Sequence, residues 1–139
     1  MRKAEAYIDT VVTVFLNLLI VYVVMNLFSY MITYQKLNNV ADNIIRYAAI
    51  TGTTDDEVIG DRAEEYITDA GFDCTKIDIS FDSTEYMSGA TKNVQFGDTI
   101  ILNIKTKQAY KFIGKPGTGL FDISINKITL SEKYHQSQL

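Results

Sequence analysis

The chain has 139 residues, a formal net charge of −4, one cysteine and no tryptophan. This length accommodates one small domain beside one membrane helix, and a single cysteine excludes both an internal disulfide framework and a cysteine-based zinc site. The hydrophobic content of 47% is near the average for soluble proteins, but the apolar residues are concentrated towards the N-terminus.

The first predicted element is an apolar helix. Thr10 to Gln35 contains 26 residues without a charge, and a helix of that length spans roughly 39 Å, against ~30 Å for the hydrocarbon core of a bilayer. A buried core helix is the alternative, but the rest of the chain is too short to enclose it. A cleaved secretory signal has a shorter apolar core. Arg2 and Lys3 precede the stretch, so the positive-inside rule predicts a cytoplasmic N-terminus and an extracytoplasmic remainder.

The helix is predicted to continue beyond the membrane. No glycine or proline interrupts Glu5 to Ile50, and apolar residues recur at helical spacing after Lys36. We therefore predict one helix of about 45 residues, apolar all round at first and amphipathic later. The predicted division is a transmembrane half, residues 1–35, and an extracytoplasmic α+β head, residues 36–139. The apolar positions of the amphipathic half are Leu37, Val40, Ala41, Ile44, Ile45, Ala48 and Ala49.

A second, shorter helix is predicted after the residues Thr51-Gly52-Thr53. Thr54 to Glu57 has the form of a capping box, with acidic residues in the first turn where the helix dipole favours them. Gly71 lies where a C-terminal cap is expected. The apolar face of this helix consists of Val58, Ile59, Ala63, Tyr66, Ile67 and Ala70.

The remainder alternates with a period of two, which predicts strands. The first strand carries Ile77, Ile79 and Phe81. The second carries Ile100, Leu102 and Ile104 and extends towards Phe112. The third carries Phe121, Ile123 and Ile125, then Ile128 and Leu130, and the odd-to-even shift at Asn126-Lys127 predicts a bulge or a break. The predicted connections are a loop at Ser83–Asn93, a turn at Phe96–Asp98 and a hairpin loop at Gly114–Gly119.

The predicted fold class is therefore α+β: a long N-terminal helix, a second helix, and an antiparallel sheet of three or so strands. One face of such a sheet is apolar and needs a cover, which the amphipathic faces of the two helices supply.

Charge is unevenly distributed along the predicted head. From Asp55 to Glu85 eleven acidic residues face only two basic ones, whereas from Lys92 to Lys133 seven lysines face three acidic residues. Both surfaces could simply be solvated. The distribution would also let identical subunits meet head to tail, with unlike potentials facing each other.

Four polar residues recur one helical turn apart at the start of the apolar helix: Glu5, Asp9, Thr13 and Asn17. A carboxylate facing lipid is costly and usually has a partner, and Thr and Asn hydrogen-bond across helices. The alternative is that Glu5 and Asp9 lie among headgroups and favour the helix N-terminus. For the whole row we predict packing against another helix. A second row on roughly the opposite face indicates a second neighbour; it consists of Tyr22, Asn26, Ser29 and Thr33.

The start of the chain resembles a known group of proteins. Residues Lys3 to Asp9 (Lys-Ala-Glu-Ala-Tyr-Ile-Asp), followed by the apolar run, are similar to the start of type IV pilin-like proteins, in which a glutamate lies at the fifth position of the mature helix. They are more narrowly similar to TadE-like minor pilins of tight-adherence systems, including a Gram-positive TadE-like family with a Glu-x-Tyr-Ile-Asp start. The resemblance covers the first helix, and the α+β remainder only by pattern.

The resemblance implies export through a pilus-type assembly machine, with Glu5 in the place of the pilin glutamate. In that family the glutamate neutralises the amino terminus of a neighbouring subunit as the helices bundle. The implied partners are the lipid membrane, other pilin-like subunits (copies or relatives) and the assembly machine. Four residues precede Glu5, so a leader would end after Ala4; the alternatives are a chain already trimmed or one that is never processed.

We predict no enzymatic activity, cofactor, metal or small-molecule substrate. Gly114 to Gly119 superficially resembles a phosphate-binding loop, which requires Gly-Lys-Ser/Thr opening into a helix; a strand-like segment follows instead. His135, the only histidine, has no second histidine or activated nucleophile to form a metal site or a triad. The basic half has neither arginine nor a dense cluster, so no nucleic acid partner is predicted.

Two functions remain as hypotheses. The first is a pilin-like structural subunit or assembly component of a type IV or tight-adherence-like filament or secretion machine. The second is a membrane-anchored accessory or sensor domain that forms no filament. Both place a single-pass protein in the cell membrane, and they differ on whether the helix ever leaves the bilayer.

Overall fold

The computed structural model describes the backbone of residues 2–83, 86, 92–112 and 115–133, and the side chains of residues 7–83, 86, 92–107 and 122–133. The chain falls into two compact units, Met1–Tyr34 and Gln35–Leu139. The fold class is α+β, as predicted, while the assignment of these parts to membrane and extracytoplasmic space stays a prediction. The elements in chain order are α1 (Arg2–Thr51), α2 (Asp56–Asp69), the 3-10 turn η1 (Cys74–Lys76), β1 (Ile77–Ser83), β2 (Thr99–Phe112) and β3 (Lys115–Leu130).

The second part of α1 belongs to the core of the second unit. All seven apolar positions predicted from helical spacing are buried, with Leu37, Ala41 and Ala48 at 0% exposure. The helix ends as predicted at Gly52, whose φ of 64° lies in the left-handed region that glycine adopts without steric cost. The Gly52 amide still donates to the Ala48 carbonyl at 2.8 Å, which closes the last turn.

The start of α2 differs from the prediction by one residue. Asp55, not Thr54, is the N-cap, and its carboxylate accepts a hydrogen bond from the Glu57 amide at 3.2 Å. Thr54 is fully buried, and its amide donates to the Lys92 carbonyl at 2.9 Å. A contact with a residue far along the chain therefore decides which of two good capping residues is used.

The C-terminus of α2 ends at Gly71 as predicted. The Phe72 amide donates to the Ile67 carbonyl at 3.0 Å and the Gly71 amide to the Thr68 carbonyl at 2.9 Å, the pair of bonds that defines a Schellman motif. Gly71 has a φ of 83°, so a side chain there would be strained. Ile59, Ala63 and Ile67 form the buried face of the helix.

The three strands form one antiparallel sheet in the order β1-β2-β3. Ile79 of β1 pairs with Ile104 of β2, which in turn pairs with Ile125 of β3. The β2 and β3 members of this row are buried, whereas the next residues along those strands are exposed. One face of the sheet therefore packs under the helices, and the other faces outward. Among the side chains of β2 and β3 that the structure describes, the buried ones are Ile100, Leu102, Ile104, Ile123 and Ile125.

The predicted bulge at Asn126-Lys127 is wrong. Pairing with β2 is regular there, and the register shift of the β2–β3 pair lies between Ala109 and Lys111. The odd-to-even shift in the sequence has another cause: Ile128 and Leu130 lie on the outward face, where they are 66% and 56% exposed. The predicted hairpin loop is also too long, because β3 begins at Lys115 and includes most of that segment; residues 113 and 114 lie outside the described residues.

A salt bridge joins α1 to β3 on the inner face of the sheet. Lys127 alternates with Ile125 and is half-buried, so its side chain extends towards α1 rather than solvent. Its Nζ lies 2.7 Å from Asp42 Oδ1. Lys127, where the sequence predicted a bulge or a break, therefore connects the sheet to α1.

The residues that link the two helices are held by β-type hydrogen bonds to the segment before β2. Thr53 forms an isolated bridge with Asn93, and the Val94 amide donates to the Gly52 carbonyl at 2.8 Å. Ser131, buried at the end of β3, donates from its hydroxyl to the Val94 carbonyl at 3.0 Å. These bonds satisfy polar groups that would otherwise be costly to bury.

Cys74 lies in the η1 turn, where it is half-buried. Asp73 caps this turn: the Thr75 hydroxyl donates to its Oδ1 at 2.7 Å, and Lys76 Nζ lies 3.1 Å from its Oδ2. These two contacts, the Thr75 bond first, lower the pKa of the Asp73 carboxyl to about 2. The ionised Asp73 carboxylate therefore stabilises the η1 turn at any pH above the ordinary carboxyl pKa. This stabilisation is lost only as the pH falls towards 2.

Candidate helix-packing surface

The N-terminal part of α1 exposes apolar side chains on all sides. Between residues 7 and 34, nineteen large hydrophobic side chains are 41% to 75% exposed. The most apolar 18-residue window has a mean hydropathy of 2.4, and none of it is buried. Burying one such side chain stabilises by roughly 1.5–3 kcal/mol, so leaving all of them in water would cost tens of kcal/mol. The helix is long and apolar enough to cross a membrane.

The predicted polar row lies at the start of this helix. The backbone of Glu5 is helical, but its side chain lies outside the described residues. Asp9, Thr13 and Asn17 are all exposed on the helix surface. The Thr13 hydroxyl donates to the Asp9 carbonyl at 2.8 Å, so this donor is satisfied within its own helix.

The other two described members of the row make no such bond. In the part of the chain whose side chains are described, neither the Asp9 carboxylate nor the Asn17 amide has a hydrogen-bond partner. Asn17 lies eight residues, about 12 Å, further along the helix than Asp9. An amide at that depth in hydrocarbon loses its water without replacement, which favours a bond to a neighbouring helix. Among the described members of the row, Asn17 is thus the one without a partner that lies furthest into the apolar stretch.

The second polar row has a different character. The Asn26 side-chain amide donates to the Tyr22 carbonyl at 2.8 Å, and the Thr33 hydroxyl donates to the Ser29 carbonyl at 2.9 Å. These donors reach the carbonyl one turn back, so they need no second helix. The i, i+4 spacing that marks the row in the sequence also supplies this internal acceptor, and sequence reasoning did not use that signal.

The contrast between the two asparagines gives a prediction. Asn17→Leu should weaken helix-mediated self-association of the full-length protein in membranes several-fold, because it removes an amide that lacks an internal partner. Asn26→Leu is the matched control and should change it little, since Asn26 already bonds its own helix. Energy transfer between differently labelled copies in lipid vesicles measures the difference. Equal effects of the two substitutions would contradict this distinction.

The described side chains offer no arrangement for metal chemistry: no three of their His, Cys, Asp and Glu residues converge to hold an ion. His135 lies outside the described residues. Towards another helix, the exposed side chains of α1 offer apolar contacts and a few hydrogen bonds.

Comparison with known families gives a match over most of the chain. The sequence profile described as "Domain of unknown function (DUF4320)" matches residues 14–136, which include most of α1 and all of α2, η1, β1, β2 and β3. No curated protein matches the chain significantly, and no solved structure does either.

Proposed function

The chain belongs to the DUF4320 family, and we propose that it is a non-catalytic, pilin-like structural subunit or assembly component of a type IV or tight-adherence-like machine. In this proposal α1 anchors the protein in the cell membrane with a cytoplasmic N-terminus. The α+β unit is an extracytoplasmic head. During assembly the helix passes from lipid into a bundle with other pilin-like helices.

One observation carries the proposal: a helix apolar enough for lipid carries polar groups that lipid cannot satisfy. Nineteen large apolar side chains of α1 are exposed, yet Asp9 and Asn17 have no partner among the described residues. An anchor surrounded by lipid alone has no use for such residues. A helix that packs against other helices does, because each polar group then finds a donor or acceptor across the interface.

The more specific assignment, to a pilin-like subunit, rests on the resemblance of residues 3–9 to TadE-like minor pilins. Glu5 would take the place of the pilin glutamate and neutralise a positive group on a neighbouring chain. The partners in this proposal are the lipid membrane, copies or relatives of this chain, and an assembly machine. Small-molecule substrates, cofactors and nucleic acids play no part in it.

The experiment that tests the proposal asks whether α1 ever leaves the bilayer. An epitope-tagged full-length chain should be recovered in extracellular material sheared from cells that carry the native assembly machine. It should remain only in the membrane fraction when the machine is absent. Recovery only from membranes in both cases would contradict the filament role and favour the alternative, a membrane-anchored accessory or sensor domain.

Orientation is the control for that experiment. A C-terminal reporter that is active only outside the cytoplasm should be active on the full-length chain, since Arg2 and Lys3 hold the N-terminus inside. Activity of a reporter that works only in the cytoplasm would overturn the anchor itself, independently of any filament.

A further inference from the structure

One end of the sheet has two strands instead of three. β1 pairs with β2 only as far as Thr106, whereas the pairing of β2 with β3 continues to Phe112 opposite Lys115. We call residues 108–112 of β2 and 115–121 of β3 the hairpin extension. At ~3.3 Å per residue it reaches roughly 17 Å beyond the last pair before it. Two strands without a third are only marginally stable in water, so a surface that covers the hairpin extension would stabilise it.

The hairpin extension lies at the end of the α+β unit where the chain enters from the apolar part of α1. The Glu132 amide donates to the Ala49 carbonyl at 2.9 Å, and Lys127 Nζ lies 2.7 Å from Asp42 Oδ1, so β3 runs in the same direction as this part of α1. Five residues back from Lys127 cover roughly 16 Å of β3, whereas the seven residues of α1 from Asp42 back to the start of the unit cover roughly 10 Å. The hairpin extension, which lies further back still, is therefore at or beyond this end of the unit.

The hairpin extension differs in residue type from the rest of the unit. Its strands contain Lys111 and Lys115 and no acidic residue. In the register Lys111 is opposite Pro116 and Lys115 is opposite Phe112, so neither lysine has an acidic residue across from it. The aromatic residues of these strands are Tyr110, Phe112 and Phe121. Lysine and aromatic residues together are typical of segments at a membrane surface, where aromatic rings lie at the headgroup level and lysines attract anionic lipids.

We propose that the hairpin extension docks on the headgroup surface of the bilayer that α1 crosses, with anionic lipid as its ligand. Lipid is favoured over a second copy because the anchor keeps the bilayer at a high effective concentration next to this end of the unit. The inference rests on the proposed function for the membrane anchor, and it holds with or without a filament. It gives the α+β unit a second point of attachment to the membrane besides α1.

The chain has no tryptophan, so a single introduced tryptophan reports on this contact. Full-length Phe112→Trp, reconstituted in vesicles of phosphatidylcholine and phosphatidylglycerol, should show blue-shifted emission that is quenched by lipids brominated near the top of the acyl chains. Tyr110→Trp is a second probe of the same strand, and circular dichroism of both variants checks that the head is folded. Emission typical of water, without quenching, would overturn the proposal. A blue shift without quenching would indicate cover by protein, such as a second copy, and would overturn it as well.

Phe96→Trp is the matched control for position. Phe96 is 62% exposed, and the amide of the next residue, Gly97, donates to the carbonyl of Ser131 at the opposite end of the unit. Its tryptophan should therefore remain unquenched. Equal quenching of Phe96→Trp and Phe112→Trp would mean that lipid contact is not confined to the hairpin extension, which contradicts the inference.

Removal of charge then tests the ligand. Lys111→Gln with Lys115→Gln, added to Phe112→Trp, should lower the ratio of docked to undocked hairpin about thirtyfold in vesicles with phosphatidylglycerol. The effect should be smaller in high salt. Lys92→Gln with Lys133→Gln is the control, because it removes two exposed lysines outside the hairpin extension, and it should leave the quenching unchanged. No loss in the first double variant, or equal losses in both, would rule out docking on anionic lipid through these lysines.

Vesicle flotation separates this inference from the proposed function. A chain that does not float with the vesicles would contradict the membrane anchor itself. A chain that floats but shows no quenching of Phe112→Trp would contradict only the docking of the hairpin extension. The vesicles contain no assembly machine, so the shearing experiment can fail without any change in the quenching.

Discussion

A fragment that begins at Tyr34 should fold and remain monodisperse, whereas a fragment that begins at Gly52 should aggregate. The two fragments differ by the amphipathic part of α1, whose seven apolar side chains are at most 7% exposed. Truncating one buried Leu or Ile side chain to Ala typically costs about 2–5 kcal/mol, and a whole domain is stable by roughly 5–15 kcal/mol. Removing them all should therefore exceed the stability of the head and expose the apolar face of the sheet.

Thermal unfolding followed by circular dichroism, with size-exclusion chromatography, measures this difference. A matched pair of substitutions in the longer fragment tests whether the buried side chains of α1 cause the difference. Ile44→Asp places a charge at a side chain that is 1% exposed and should abolish the unfolding transition, whereas Ile50→Asp, at 57% exposed, should leave it nearly unchanged. If both fragments were equally folded and soluble, the assignment of this segment to the core would be wrong.

Glu5→Gln should sharply reduce self-association and incorporation into sheared filaments, while membrane insertion and head folding remain intact. In the proposed function the Glu5 carboxylate meets a positive group of a neighbouring chain. A buried charge stripped of its partner costs several kcal/mol, whereas an acid exposed to headgroups is changed at little cost. Asp9→Asn should act in the same direction with a smaller effect.

The amount of each variant in sheared material, relative to the membrane fraction, measures the effect. Asp69→Asn in α2 is the matched control, because it makes the same kind of neutral replacement at an exposed acid of the head. If Glu5→Gln assembled as well as the parent, the pilin resemblance would lose its main residue. The anchored accessory domain would then be the better account.

The elements themselves followed from the sequence because local periodicity determined them. Leu37, Ile44 and their neighbours recur at helical spacing, and Ile77 to Phe81 alternate, so type and buried face were both predictable. The buried face at the end of β3 was not predictable in this way. Ile128 and Leu130 are aliphatic residues on the outward face, and a hydrophobic pattern assigns such residues to the core. Pattern alone carries no information on which face of an edge strand remains uncovered.

The other errors have long-range causes. Asp55 caps α2 because Thr54 is withdrawn to bond the Lys92 carbonyl, 38 residues away, and no local rule contains that contact. The predicted hairpin loop was too long because β3 already begins at Lys115, and Pro116 is tolerated in it since β3 is an edge strand. In the polar rows, spacing located the residues but did not separate Asn26, which bonds its own helix, from Asn17, which has no partner among the described residues.

The bonds between the end of α1 and the end of β3 also set an order of events. The Glu132 amide donates to the Ala49 carbonyl of α1 at 2.9 Å, while the Ser131 amide ties the end of β3 to the turn before β2 by donating to the Asp98 carbonyl at 2.8 Å. A chain that emerges N-terminus first presents the amphipathic part of α1 long before these partners exist. Because contacts this distant in sequence form slowly, the core cannot close until β3 has emerged. An emerging chain therefore passes through a period in which α1 has formed but the α+β unit is still open, and this is when a chaperone or an assembly factor would have access to the inner face of the sheet.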